Sequence, residues 1–396
     1  MFIHAPSWFT LALMSYLTQL NLQNFRCYTH NRLDALQGGL IVLWGENGAG
    51  KTNILEAISL LTPGRGLRGA KAIDMQQNGI SQPWGVSAQI HNKDVDVTLG
   101  TGFNPQNARR NVRINGADAR SQNAMLDYMS CLWLTPQMDR LFIEGASARR
   151  KFLDRLIFTF DAGHSGRVTR FENAMRQRSK LLQGEEHAEP SWLDSLEAQM
   201  AQTAVAIAAA RLDFIARLQQ FSDVADATEQ DLFPKAHLSA QGTIEELLQN
   251  TPALEVEKLY TYQLKESRGA DAIKGGATTG IHKSDMAVTY VAKDMPAHQC
   301  STGEQKALLI GLILAHGRMM RAERGIPPVL LLDEIAAHLD EDRRAALFER
   351  LIAMGGQVWM TGTDPILFDA IKNKAQFFHI TNAQVTGVQI EERKTA

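Results

Sequence analysis

A short segment near the N-terminus has the residue types and spacing of a phosphate-binding loop. It reads Gly45-Glu46-Asn47-Gly48-Ala49-Gly50-Lys51-Thr52, which fits the pattern G-x-x-x-x-G-K-[ST]. Glycines let backbone N–H groups turn toward phosphate oxygens, the lysine can reach the β and γ phosphates, and the threonine hydroxyl can ligate Mg²⁺. An apolar run at residues 40–44 precedes the loop and helical spacing follows it, which is the strand–loop–helix context that the motif requires. The pattern predicts a binding site for ATP and Mg²⁺.

An acidic pair follows another short apolar run late in the chain. Residues 329–332 (Val-Leu-Leu-Leu) come directly before Asp333 and Glu334. Successive side chains of a strand point to opposite sides, so we expect Asp333 to face Mg²⁺ while Glu334 faces the γ-phosphate and polarises a water molecule. Alone, such a pair is more often a solvated strand end. Together with the phosphate loop it predicts ATP hydrolysis, with Lys51 and Glu334 as the catalytic residues.

A third motif separates classes of phosphate-loop proteins. It consists of Ser301-Thr302-Gly303-Glu304-Gln305-Lys306, directly before an apolar helical run at residues 307–315. Asp340 follows Glu334 by six positions, as in the D-loop of ATP-binding-cassette (ABC) ATPases. In that class the signature serine and glycine, here Ser301 and Gly303, contact the γ-phosphate held by a second copy of the chain. A plain helix N-cap with a capping box explains the signature residues equally well locally, and only the order of the motifs favours the ABC interpretation.

The alternation of strand and helix patterns predicts an α/β fold, an ABC-type P-loop ATPase head built from both ends of the chain. We expect a mixed sheet with flanking helices, into which a mainly helical arm is inserted. Short runs between about 84 and 115 indicate an antiparallel patch, and strand signals return from Lys258. The predicted boundaries are a loose extension at 1–13, the head at 14–145 and 259–396, and the arm at 146–258.

The composition is that of a folded protein and excludes several classes. The chain has 396 residues, of which 41 are Lys or Arg and 43 are Asp or Glu, and a formal net charge of −2. A uniformly basic nucleic-acid coat and an acidic tail protein are therefore excluded, although residues 1–180 have a basic excess and residues 181–396 an acidic one. Three widely separated cysteines indicate neither a disulfide framework nor a zinc site. Without an apolar run of about 18 residues, no membrane span is predicted, and we expect a cytoplasmic protein.

Basic side chains are concentrated at the start of the predicted arm. Between residues 149 and 180 there are nine basic residues and three acidic ones. Helical spacing makes them a candidate track for DNA phosphates, and ordinary solvated helix faces explain the charges equally well. No zinc finger, recognition-helix pattern or aromatic platform accompanies them, so contacts independent of DNA sequence are expected. The candidate DNA-binding residues are Arg149, Arg150, Lys151, Arg167, Arg170, Arg176, Arg178 and Lys180.

Taken together, the motifs resemble the RecF family of DNA replication and repair proteins from about Tyr16 to the C-terminus. Besides the phosphate loop and the signature, the resemblance is carried by Leu20-x-Leu22-x-Asn24-Phe25-Arg26-x-Tyr28, Asn53-Ile54-Leu55-Glu56-Ala57, Gly145-x-x-x-Arg149-Arg150-x-Phe152-Leu153-Asp154, Gly280-Ile281-His282-Lys283-Ser284-Asp285 and Thr361-Gly362-Thr363-Asp364. It implies an ATP-induced homodimer that binds gapped DNA or single-strand/double-strand junctions, with slow, DNA-stimulated ATP hydrolysis. It also implies RecO and RecR as partners, assistance in loading RecA, and a part in the SOS response.

Several positions depart from the pattern usual in that family. Three residues of the segment 280–285 differ, and Glu304 stands where glutamine is more usual. No histidine occupies the switch position after residue 360, where Thr361 or Thr363 must serve. Gln137 is a candidate Mg²⁺-sensing glutamine, although a plain polar turn residue is the favoured interpretation.

The main alternative is the nucleotide-binding ATPase subunit of another ABC-type system, of transport or SMC-like type. A transport subunit would have its signature much closer to the phosphate loop than the 252 positions that separate Lys51 from Gly303. The arm also lacks the heptads of a long SMC coiled coil. An ATPase-nuclease would need a further acidic domain, for which the 32 residues after Asp364 are too few. Glu334 disfavours a DNA clamp without hydrolysis.

Overall fold

The described part of the chain forms two compact units. The computed structural model describes residues 15–77, 79–80, 82–92, 95–106, 109–184, 189–223 and 232–388. One unit comprises the chain up to Met138 together with the chain from Ile313 onward, and the other is Asp139–Leu312. The second unit is longer at both ends than the arm expected at 146–258, because a small sheet and the signature motif belong to it. The extension expected at 1–13 lies outside the described residues.

Strands and helices are interspersed along the chain, with some runs of one kind. The strands are β1 (Ser15–Phe25), β2 (Tyr28–Leu33), β3 (Leu40–Trp44), β4 (Trp84–Asn92), β5 (Val95–Asn104), β6 (Arg109–Ile114), β7 (Ala117–Asp118), β8 (Cys131–Leu134), β9 (Ala236–Gln241), β10 (Asp285–Tyr290), β11 (Met295–Pro296), β12 (Val329–Leu332), β13 (Val358–Gly362), β14 (Ala375–Thr381) and β15 (Gln384–Val388). The α-helices are α1 (Lys51–Ser59), α2 (Ala146–Phe158), α3 (His164–Leu182), α4 (Pro190–Asp223), α5 (Thr243–Asn250), α6 (Ala253–Glu266), α7 (Arg268–Lys274), α8 (Thr302–Arg324) and α9 (Glu341–Met354).

A mixed sheet in the first unit brings the ends of several parallel strands to one edge. Its order is β15-β14-β3-β13-β12-β8, and every neighbouring pair is parallel except β14 with β15. The runs in β3, β8 and β12 are almost wholly apolar and buried, as expected for parallel strands covered on both faces. Leu330 pairs with Val358, which pairs with Leu40, so the carboxyl ends of β12, β13 and β3 are neighbours.

An antiparallel sheet of order β2-β1-β4-β5-β6-β7 completes the first unit and includes the strand runs expected near 84–115. Leu20 and Leu22 alternate with polar residues in β1, and their side chains join the core that buries one face of α1. The side chain of Gln357 connects this sheet to the mixed sheet. Fully buried, it accepts a hydrogen bond from the Leu17 backbone N–H at 3.0 Å and donates one to the Leu17 carbonyl at 2.9 Å.

The second unit is mainly helical, as expected for the arm, and contains α2–α7 and a small sheet of order β11-β10-β9. The expectation that strand structure returns at Lys258 is wrong, because that residue lies within α6. Val256, Tyr260 and Leu264 recur every four residues in α6 and are all buried. This spacing places them on one helix face, which packs into the core of the second unit and holds the segment helical.

Candidate nucleotide-binding site

The phosphate loop lies between β3 and α1 and depends on glycines at both ends. Gly45 has φ 148° and Gly50 has φ 115°, backbone conformations that residues with a side chain rarely adopt. A Cβ atom at Gly45 would collide with the carbonyl oxygen of Ile380, and one at Gly50 would lie 2.6 Å from the Tyr28 hydroxyl. Both the torsion angles and the close packing therefore require glycine at these two positions.

Lys51 extends its side chain into this loop. Its Nζ donates hydrogen bonds to the carbonyl oxygens of Gly45 at 2.7 Å and Glu46 at 2.8 Å. Burial lowers the pKa of Lys51, and the nearby carboxylates of Glu334 and Asp333 oppose that shift. The ammonium group is thus held among carbonyl oxygens at the place where the motif positions a lysine for phosphate.

Two oxygen-bearing side chains from different elements meet at the edge of the mixed sheet. The hydroxyl of Thr52, in the first turn of α1, donates to the Asp333 carboxylate at 2.9 Å, and Asp333 follows β12 directly. Mg²⁺ in nucleotide sites takes oxygen ligands, commonly one or two protein groups together with substrate phosphates. The contact between this hydroxyl and this carboxylate fits that donor set, so Thr52 and Asp333 are the residues that would hold Mg²⁺.

Thr361, the last-but-one residue of β13, positions the acidic pair. Its hydroxyl donates to Asp333 Oδ1 at 2.8 Å and accepts from the backbone N–H of Glu334 at 2.9 Å. Thr361 is buried, whereas Thr363 is exposed, so Thr361 is the one in contact with the acidic residues. Parallel pairing of β12 with β13 creates these contacts between residues distant in sequence.

The backbone conformation of Glu334 differs from the strand geometry expected from the sequence. Strand β12 ends at Leu332, and Glu334 has φ 54° and ψ 21°, in the left-handed region. Such a conformation in a residue with a side chain stores about 1–3 kcal/mol of strain and is concentrated at functional sites. The side chain is half-buried, and its carboxylate acts electrostatically on Lys51.

Two other expected site residues occupy exposed positions in the first unit. Asp340 caps α9: its carboxylate accepts a hydrogen bond from the Arg343 backbone N–H at 2.8 Å. Gln137 lies exposed on the 3₁₀ turn Pro136–Arg140. Both positions leave these side chains accessible to a ligand or a second copy of the chain.

Residues next to the loop that sequence reasoning did not assign to the site support α1. Glu56 is fully buried and accepts hydrogen bonds from Arg26 at 2.6 and 2.8 Å and from Arg68 at 3.1 Å. The Tyr28 hydroxyl donates to the carbonyl of Gly50 at 3.2 Å. The sequence feature that could have identified Glu56 is its charge, since it lies on the helix face that is otherwise apolar and faces the core.

The signature residues lie in the second unit, at the start of α8. Ser301 and Glu304 form a capping box: both the backbone N–H and the hydroxyl of Ser301 donate to Glu304 Oε2, at 2.9 and 2.8 Å. Ser301 and Gly303 are exposed. The capping interpretation is therefore correct as a description of this structure, and it leaves both residues accessible from outside.

The basic residues expected to contact DNA are in different environments. Arg178 is 1% exposed and paired with Glu197 and Asp271, each at 2.8 Å, so its inclusion in a surface track is wrong. Helical periodicity in α3 turns this position inward, toward carboxylates supplied by α4 and α7.

The other seven basic residues divide into three that are half-buried and four that are exposed. Arg149 is bound to Asp285 at 2.7 Å, Arg150 donates to the Ser284 carbonyl at 2.6 Å, and Arg167 pairs with Asp161. The remaining side chains are exposed, namely those of Lys151, Arg170, Arg176 and Lys180. All four are candidates for phosphate contact, although Arg176 is also paired with Glu172 at 3.9 Å.

The fold and the site geometry together define an ABC-type ATPase head with an inserted unit. A family model described as "RecF/RecN/SMC N terminal domain" matches residues 16–386. The chain belongs to the RecF family of DNA replication and repair proteins. It is 44% identical to the DNA replication and repair protein RecF of Rhizobium rhizogenes, over 94% of this chain and 98% of that protein. It is 43% identical to the RecF protein of Rhizobium meliloti, over 94% and 99% of the two chains.

Solved structures agree with this fold. A structure of the recombination mediator protein RecF with ATPrS has a TM-score of 0.84 at 22% identity, covering 95% of this chain and 98% of that one. The Smc head domain of Pyrococcus furiosus has a TM-score of 0.53 at 16% identity, covering 96% and 97%. The predicted ATPase-head fold and the resemblance to RecF are thus confirmed. Within the described residues, no helix is both long and apolar enough to cross a membrane.

Proposed function

We propose that this protein is an ATP-dependent DNA-binding protein of replication and recombinational repair, acting as an ATP-induced homodimer. In the proposed cycle, Gly45–Thr52 and Asp333 bind ATP and Mg²⁺, and Ser301 and Gly303 of a second copy complete the site. The dimer holds gapped or junction DNA, and Glu334 supports slow hydrolysis that opens it. Membership of the RecF family, and the ATP-type ligand named for a RecF structure of the same fold, support this proposal.

The hydrogen-bond chain from Thr52 through Asp333 to Thr361 is the observation that carries the nucleotide part of the proposal. It joins α1, β12 and β13 at the edge where the phosphate loop begins. Bound Mg²⁺ would neutralise charge on the β and γ phosphates. The chain itself supplies a Thr52 hydroxyl and an Asp333 carboxylate for the metal, a Lys51 ammonium for the phosphates and a Glu334 carboxylate to orient the attacking water.

A nucleotide site that is completed by a second copy of the chain would let ATP control formation of the dimer. Ser301 and Gly303 are exposed at the start of a 23-residue helix, α8, where backbone N–H groups and the helix dipole favour an anion. Asp340 is exposed at the start of α9 and is available to a second copy in the same way. ATP bound to one copy would then link it to the signature of another, and hydrolysis would remove the link.

The proposed DNA contacts are electrostatic and independent of sequence. Lys151 on α2 and Arg170, Arg176 and Lys180 on α3 are exposed, and cations of this kind bind phosphates with release of counterions. By family membership, we propose RecO and RecR as the partners with which the protein assists the loading of RecA.

The substitution Glu334→Gln tests the cycle. Removal of the carboxylate should slow hydrolysis while leaving ATP binding intact, so an ATP-bound dimer should accumulate and be visible in sedimentation velocity with Mg²⁺. Lys51→Arg should form little dimer in the same assay, because the ammonium that reaches the phosphates is removed. Glu341→Gln, an exposed acid in the first turn of α9, is the matched control and should behave as wild type. A Glu334→Gln protein that stays monomeric with ATP would refute the shared-site mechanism.

A further inference from the structure

The side chain of Glu304 occupies the hydrogen-bond donors of the signature serine. Its Oε2 accepts from both the N–H and the hydroxyl of Ser301, at 2.9 and 2.8 Å, and its Oε1 is paired with the ammonium of Lys293. Lys293 ends a 3₁₀ turn, Val291–Lys293, and its side chain is 49% exposed. The two carboxylate oxygens of Glu304 thus bridge Ser301 and Lys293.

We propose that Glu304 is a positioning residue that competes with phosphate for Ser301, and that Lys293 sets the strength of this competition. The inference rests on the proposed function, in which Ser301 contacts the γ-phosphate bound to a second copy. In this arrangement, Ser301 becomes available when Glu304 turns from the serine to the lysine. The pair therefore sets the ATP concentration at which the dimer forms.

Charge is the first reason for this assignment. A carboxylate and a γ-phosphate are both anions that accept hydrogen bonds, so a carboxylate at these donors repels phosphate as well as occupying its donors. Hydrogen bonds from Lys293 and then from Ser301 lower the pKa of Glu304 to about 2. The carboxylate is thus ionised near neutral pH, and protonation does not relieve the competition.

The position of Lys293 is the second reason. Its ammonium is already in contact with Glu304 and can retain that carboxylate when phosphate takes the serine. Its side chain lies over the Tyr290 ring, with Nζ 5.7 Å from the ring centroid, which restrains the ammonium near the signature. A capping box without the lysine would hold the helix start equally well, so capping alone does not account for this contact.

The substitution Glu304→Gln separates competition from capping, because glutamine at this position can still accept from Ser301 but has no charge. Dimer formation would be measured by sedimentation velocity against the concentration of ATPγS with Mg²⁺, using the full-length chain. We expect Glu304→Gln to lower the half-saturating concentration by about threefold, the size of an exposed charge interaction. Lys293→Met should raise it, because Glu304 then has no alternative partner.

The double variant tests whether the lysine acts through the glutamate. In the Glu304→Gln background, Lys293→Met should have little effect, so the two changes should be non-additive. The matched control is Glu255→Gln, since Glu255 is an exposed acid in the first turn of α6, at the same helix position as Glu304. It should leave dimerisation unchanged.

The possible outcomes distinguish this inference from the function on which it rests. A wild-type chain that forms no dimer with ATPγS would overturn both. A wild-type dimer whose nucleotide dependence is the same in Glu304→Gln would overturn the competition alone. Equal effects of Lys293→Met in both backgrounds would show that the lysine acts directly on phosphate and would overturn its role through Glu304.

Discussion

At the scale of single residues, Thr361 shows how one hydroxyl can organise an acidic site. It donates to the carboxylate of Asp333 and accepts from the N–H of Glu334, so it fixes the orientation of one residue and the strained backbone of the next. Asp333 is proposed to bind Mg²⁺, and groups that orient a metal ligand in this way commonly affect affinity or activity by about 10–100-fold when removed. Thr361 therefore acts on the proposed site through Asp333 and Glu334.

Replacement of Thr361 by valine should raise the Mg²⁺ concentration that nucleotide binding requires. Valine has a similar shape and fits a strand, so the fold should remain, while Asp333 is deprived of one hydrogen bond. We expect about a 10-fold increase in the Mg²⁺ concentration needed for ATP binding, measured by fluorescence titration with a labelled nucleotide. Thr363→Val, an exposed neighbour, is the control, and an equal effect of both substitutions would contradict this role.

Asp154 provides a pH-dependent contribution to the stability of the second unit. Burial raises its pKa, but hydrogen bonds from His164 at 2.8 Å and Arg211 at 2.8 and 2.9 Å outweigh burial and lower it from 3.8. Because the folded-state pKa is depressed, this contribution is fully present above about pH 4 and disappears as the pH falls through the folded-state pKa.

Asp154→Asn should therefore lower the melting temperature at pH 7 but have progressively less effect below pH 4. Removal of the half-buried carboxylate leaves Arg211 with Glu245, at 3.6 Å, as its remaining ion-pair partner, and the destabilisation at pH 7 should be roughly 2–3 kcal/mol. Calorimetry of both proteins at pH 7 and pH 3 would measure the difference. Asp213→Asn, on the exposed face of α4, is the control. A difference that did not shrink in acid would contradict the linkage.

At the scale of elements, α1 is held in place by a buried charge rather than by apolar packing alone. Glu56 lies on its core face and is bound by Arg26, which follows β1, and by Arg68. The phosphate loop leads directly into this helix, so the position of the helix determines where Lys51 and Thr52 lie. The charge cluster thereby connects the stability of the first unit to the geometry of its nucleotide site.

Glu56→Gln should destabilise the first unit strongly. Glu56 is fully buried, whereas the side chains of Arg26 and Arg68 are 20% and 37% exposed, so water can solvate part of the charge that remains and the cost should be about 1–3 kcal/mol. Urea unfolding followed by circular dichroism would measure the decrease in stability. The matched control is Asp34→Asn, which removes a carboxylate from an exposed pair with Arg32 and should change stability little, because solvent screens this pair. Similar effects of the two substitutions would exclude the anchoring role of Glu56.

At the scale of the whole molecule, the net charge of −2 does not show that basic residues have two different roles. In the second unit some basic residues are structural: Arg178 and Arg211 are buried in contact with carboxylates. Others, such as Arg170 and Lys180 on α3, are exposed. A basic stretch in the sequence thus contains both internal ion pairs and the surface charges proposed to contact DNA.

Arg170→Ala and Lys180→Ala should each weaken binding to gapped DNA and reduce its salt dependence. Removing the cation that neutralises one phosphate lowers the slope of log affinity against log salt by about 0.9. Fluorescence anisotropy across a salt series would measure this slope, since overall affinity alone does not separate charge from folding effects. Lys374→Ala, an exposed lysine in the first unit, is the control. An unchanged slope in both α3 variants would remove this helix from the proposed interface.

The sequence alone determined the order of the motifs, the strand–loop–helix context of the phosphate loop and the buried strands at residues 40–44 and 329–332. These features are local, because glycine spacing and apolar runs depend on neighbouring residues. The tertiary structure decided the rest. Thr361 contacts Asp333 only because β13 pairs with β12, and Arg178 is buried only because α4 and α7 supply carboxylates. The left-handed backbone of Glu334 likewise depends on tertiary structure, because its N–H donates to Thr361 in β13, a strand distant in sequence.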